Sequence, residues 1–149
     1  METKQTQTRY VEWLGADEMH MASKEWLSEL KFIKDEHLFF EDLIKSHTLQ
    51  LIDPEKFSNN KEIIDAINRS QKKNNLLIEA VKVHENDLNI MVDGINQLIE
   101  EQAYKKEHKG LITEISEFKK YYQDLKTQLF EIIKRIKKQE KQRRLLDRK

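Results

Sequence analysis

Three apolar stripes at heptad spacing constrain this chain more than any other feature. The first is Trp26, Leu30, Ile33, His37, Phe40, Ile44, His47 and Leu51. The second is Ile63, Ile67, Ser70, Asn74, Leu77, Val81, His84, Leu88, Met91, Ile95 and Leu98. The third is Leu111, Ile115, Phe118, Tyr122, Leu125, Leu129, Ile132, Ile136, Gln139, Arg143 and Leu146. Alternating steps of three and four residues bring such positions to one face of a helix, so each stripe is the seam of one long helix. Short connections then make successive helices antiparallel neighbours. The expected fold is all-α, an elongated up-down-up bundle of three long heptad-patterned helices with a short N-terminal hook.

Turn and cap residues set the expected boundaries. Residues 1–9 are polar and read as a disordered arm, leaving 10–149 as a single helical-bundle domain. Tyr10, Val11, Trp13, Leu14 and Met19 are too apolar to stand in water and read as the hook, with Gly15 separating it from a first helix capped by Asp17 or Ser23. That helix runs to about Leu51, and Asp53-Pro54 stops it because proline disfavours helix at the residue before it. Asn59 with Glu62 three residues on is a variant capping box for the second helix. This helix is expected to continue to about Glu107, although Asp93-Gly94 interrupts it and a break at Gly94 would give four helices. Lys105, Lys106, His108 and Lys109 before Gly110 read as a helix C-terminus with glycine at C′, so the third helix would start near Leu111.

Composition narrows the functional classes. Charged residues make up 36% of the chain, with three glycines and one proline, which suits solvated helices. Twenty-seven basic and 27 acidic side chains cancel, so no whole-protein field steers nucleic acid or anionic membrane. The absence of cysteine excludes thiolate metal sites and cysteine nucleophiles. No apolar run approaches the length of a membrane span, no signal-peptide core follows Met1, and the expected location is cytoplasmic. Glycine-rich phosphate loops and nucleophile elbows are missing, so no catalytic constellation and no cofactor are expected.

Chemistry could reside only where the stripes turn polar. Folding about turns near residues 56 and 109 brings His37, Glu41, Ser70, Asn74 and Arg143 to one level, and His84 to the level of residues 25–29. The simplest reading is a buried polar layer that fixes helix register. The alternative is a metal site. His37 and Glu41 form an HxxxE pair at i, i+4, which is similar to an element of hemerythrin-like proteins, and carboxylates with histidines also build di-iron bundles. That resemblance implies a metal-binding bundle using His37 and Glu41. A ferritin-like site, however, needs an ExxH repeat on two helices, which the chain does not supply.

Two surface features complete the reading. Residues 134–149 carry Lys134, Arg135, Lys137, Lys138, Lys141, Arg143, Arg144, Arg148 and Lys149 against Glu140 and Asp147. Such a helix can contact nucleic-acid phosphates or a membrane surface. Residues 12–42 are strongly acidic, and parallel first and third helices would pair acids at 25–40 with bases at 134–149. Intramolecular charge matching is then the simpler account, and nucleic acid is the disfavoured partner because aromatic stacking residues are absent from the basic run. The first helix also carries Phe32, Phe39 and Leu43 beyond its seam, a candidate interface for a homodimer or another helical protein. The expected function is therefore a non-enzymatic structural or protein-interaction module that self-associates through its first helix.

Overall fold

The computed structural model describes residues 15–52, 57–93 and 98–147. Four helices and no strand occur among them: α1 (Ala16–Ser46), α2 (Thr48–Leu51), α3 (Phe57–Asp93) and α4 (Leu98–Asp147). The all-α expectation holds. The arm at 1–9, the hook residues 10–14 and Asp53-Pro54 lie outside the described residues.

Several boundaries differ from those expected. Met19 belongs to α1 rather than to a separate hook; its amide donates to the Gly15 carbonyl at 3.1 Å, and its side chain packs on Leu88 and Tyr104. Asn59 lies inside α3 rather than capping it. The first helix is interrupted at His47, where φ is −117° and ψ is 20°. There the His47 imidazole bonds the Leu43 carbonyl at 2.8 Å, and the Thr48 hydroxyl lies within hydrogen-bond distance of the Ile44 and Lys45 carbonyls. Side chains that compete for helical carbonyls in this way weaken the ladder locally.

The largest correction concerns the second and third helices. The helical run of α3 ends at Asp93, and α4 carries Gly110 in its interior. A helix tolerates an internal glycine at roughly 1 kcal/mol. The seam supplies more than that, because Tyr104, His108, Leu111 and Ile115 continue the four-three-four stepping through Gly110 and are all buried. The cluster Asn86, Asp87, Asn89, Asp93 and Gly94 is by contrast a dense run of weak helix formers.

The chain divides into two compact units, Met1–Lys34 with Lys73–Lys119 and Asp35–Lys72 with Lys120–Lys149. In the first unit the Asn74 side-chain amide donates to the Leu30 carbonyl at 2.9 Å, and Lys119 bonds Glu29 at 2.6 Å. Its core includes Leu30, Ile33, Leu77, Val81, Ile115 and Phe118. In the second unit Asn60 donates to the Leu51 carbonyl at 3.1 Å, and Gln50 donates to Glu140 at 2.6 Å. Phe40, Ile67, Tyr122, Leu125, Leu129 and Ile136 fill its core. Within each unit, α1–α2 contacts with α3 run in opposite chain order and those with α4 in the same order. The latter pairs, Glu29–Lys119, Glu36–Lys126 and Gln50–Glu140, are each separated by 90 residues.

Candidate functional site

The densest assembly of polar groups in the first unit is a histidine pair on α3 and α4. His84 and His108 are both fully buried. His84 Nε2 lies 2.9 Å from His108 Nδ1, and His84 Nδ1 lies 3.2 Å from Glu107 Oε1. An ionised carboxylate only accepts, so His84 donates from Nδ1 and accepts at Nε2, and His108 donates from its Nδ1. This chain of donors leaves His108 Nε2 as a lone pair, and that buried atom has no hydrogen-bond partner. Aromatic rings enclose the pair: Tyr104 stacks on His84 with centroids 4.0 Å apart, and Trp26 of α1 lies 4.7 Å from His108.

Burial controls the acid–base behaviour of this cluster. Desolvation lowers His84 from 6.5 to about 4, with the Asp87 charge working against it. His108 is lowered to about 4 by the same desolvation, reinforced by the charge His84 would carry. Both imidazoles are therefore neutral at pH 7. Burial also raises the Tyr104 hydroxyl; Ser23 opposes that shift, and the Glu107, Glu85 and Asp87 charges add to it. The Glu107 carboxyl is raised by burial and then by Asp87. A cleft of ≈ 360 Å³ beside the cluster is lined by Asp87, Ile90, Met91, Glu100, Ala103, Tyr104 and Glu107.

The second unit holds the residues anticipated for the polar layer only in part. His37 is buried, and its Nε2 meets the Ser70 hydroxyl at 3.0 Å. Its ring packs 5.0 Å from Tyr122, whose hydroxyl donates to Glu36 at 3.0 Å, and Lys126 bonds the same carboxylate at 3.2 Å. Asn74 belongs to the first unit, where it bonds Leu30. Glu41 is exposed and faces Lys45 of its own helix at 3.5 Å. Arg143 is exposed on the last part of α4. His37 and Ser70 are thus brought together, whereas Glu41 and Arg143 stand on the surface. Tyr122 takes the level assigned to Arg143 because α4 begins near Leu98 rather than Leu111, which shifts its register against α1.

Among the described residues, no group of three or more histidines and carboxylates is placed to hold a metal ion. No described helix is long and apolar enough to cross a membrane. Of the candidate interface, Phe32 is exposed in the first unit, and Phe39 is exposed and Leu43 half-buried in the second. The role of His108 escaped the sequence reading because Lys105, Lys106 and Lys109 around it suggested a helix end. Extending the third stripe back through His108 and Tyr104 was the signal that would have found it. The chain matches no protein-family model, no curated protein and no solved structure.

Proposed function

We propose that this protein is a non-enzymatic interaction module that pairs with a second copy of itself through the α1–α4 edge of its second unit. The observation that carries this reading is an exposed aromatic edge. Phe39 is 55% exposed and Phe130 is 42% exposed, and each ring contacts the fully buried Phe40, at 6.1 Å and 5.5 Å between centroids. Phe39 and Leu43 follow Glu36 by three and seven residues, and Phe130 follows Lys126 by four. Since Glu36 and Lys126 are joined, helical spacing sets all three apolar residues beside one α1–α4 seam.

The charges flanking that edge favour a second copy as the occupant. Exposed Asp35 and Asp42 bracket Phe39, and exposed Lys134 and Lys137 lie one and two turns beyond Phe130. A two-fold contact would set the acidic α1 edge of each copy against the basic α4 edge of the other, satisfying both twice. About half of each phenyl ring remains exposed, and burying that half would add roughly 1 kcal/mol per ring. Light scattering at micromolar concentration should return the mass of a dimer. Phe39→Glu, a surface change, should raise the dissociation constant by at least about 100-fold. A wild-type chain that is monomeric under these conditions overturns the reading.

A further inference from the structure

The register of α4 changes the surroundings of its basic end. Acids of α1 meet Lys119 and Lys126, at a separation of 90 residues, and not the bases beyond residue 133. Lys134, Arg135, Lys137, Lys138, Lys141, Arg143 and Arg144 are all exposed, and none has an acidic partner among the described residues. On the same stretch Glu140 is engaged by Gln50, and residues 141–147 are exposed without exception. Asp147 is the other acid on that stretch, so two acids stand against the seven cations.

We infer that the C-terminal end of α4, Arg135 to Asp147, binds the phosphate backbone of double-stranded nucleic acid without reading its sequence. Arg135, Lys138, Lys141, Arg143 and Arg144 point in different directions around the helix, at successive steps of 100° per residue. Lys134 and Lys137, beside Phe130, belong to the edge assigned to self-association. A cationic rod of this kind fits between the two phosphate ridges of a groove, where charge is met on more than one side. A membrane surface asks for the opposite pattern, with cations on one face and a continuous apolar face below. The exposed apolar residues here are Leu145 and Leu146, adjacent in sequence and 100° apart, and too few to make such a face. Aromatic residues are absent from the stretch, which removes base stacking and leaves the backbone as the recognised element. The inference is independent of self-association.

The test is fluorescence anisotropy of a labelled 20-base-pair duplex of arbitrary sequence titrated with the full chain. Binding should weaken by roughly 100-fold between 50 and 200 mM salt, as release of counterions from about four phosphates requires. Two unrelated duplex sequences should bind equally. The triple variant Lys138→Glu, Lys141→Glu, Arg144→Glu should lose at least about 100-fold in affinity while keeping its helical circular dichroism. Lys141→Gln alone should make the salt dependence shallower by about one phosphate contact. Absence of binding at 50 mM salt overturns the inference. So does equal affinity for poly-glutamate, or binding to phosphatidylserine vesicles without binding to the duplex, or a triple variant that binds as well as the wild type.

Discussion

Acidification should destabilise this protein through its buried histidine pair. His84 and His108 both titrate at about 4 in the folded chain against 6.5 when free. Their folded values are depressed, so the unfolded chain binds more protons throughout this window. Stability is complete above pH 6.5 and is lost as pH falls toward 4. Each imidazole contributes a slope of about 1.4 kcal/mol per pH unit, so two give a ceiling of about 4 kcal/mol between pH 6.5 and 5. Solvent reaches the edge of the cluster, because the Glu107 side chain is 48% exposed, and about half the ceiling is the realistic figure. Glu107 acts in the opposite sense, since its raised carboxyl takes up a proton more readily in the folded chain. A loss of about 2 kcal/mol lowers the melting temperature by about 6 °C for a chain of this size. Thermal melts followed by circular dichroism at pH 7, 6 and 5 read this directly. A double variant, His84→Gln with His108→Gln, should melt lower at pH 7 but lose most of the pH dependence in this window. The reasoning fails if the wild type melts at one temperature from pH 7 to 5, or if the double variant keeps the wild-type slope.

Two further substitutions probe the helix boundaries and the polar core. Gly110→Ala should stabilise the chain by about 0.5–1 kcal/mol in urea denaturation, because Gly110 sits inside α4 with no atom within 4 Å of an added Cβ; a loss of stability would instead indicate the left-handed C′ position that the neighbouring lysines suggest. Asn74→Ala should lower stability by about 1–3 kcal/mol, since it removes a buried donor from the Leu30 carbonyl; an unchanged denaturation midpoint would show that this bond carries no net weight.

Part of this architecture was legible from residue spacing alone. Leu30, Ile33, Phe40, Ile67, Leu77, Val81, Leu88, Ile115, Tyr122, Leu125 and Leu129 all lie on the stripes and are all buried. Periodicity fixes a face because it repeats many times along one helix. Helix ends are single events, and two of them rest on one glycine each. Gly94 and Gly110 each follow a polar residue, Asp93 and Lys109, and precede an apolar one, Ile95 and Leu111. The weak helix formers Asn86, Asp87, Asn89 and Asp93 favour an end near Gly94, but they also lie within α3 itself, and the deciding energy is the burial of Tyr104 and His108, which no local rule counts.

Everything that depended on the level of the third helix followed from this choice. A start near Leu111 sets Arg143 beside His37 and the basic terminus beside the acids of α1. The observed start at Leu98 sets Tyr122 beside His37, pairs Glu29 with Lys119 and Glu36 with Lys126, and leaves the terminal cations exposed. His37 with Ser70 was within reach of the sequence, since Asp53-Pro54 marks the one connection between them unambiguously. The pairing of His84 with His108 was not, because Gly110 offers a helix end at a position where α4 in fact continues.

The sequence by itself determined that the chain is helical and which side chains face inward, because 3.6-residue periodicity and composition are local properties. Only the tertiary structure decided where α3 gives way to α4, which polar groups share the interior, and which charges remain in water. Those outcomes depend on packing between residues far apart in the chain, where a shift in one boundary moves every contact along a helix.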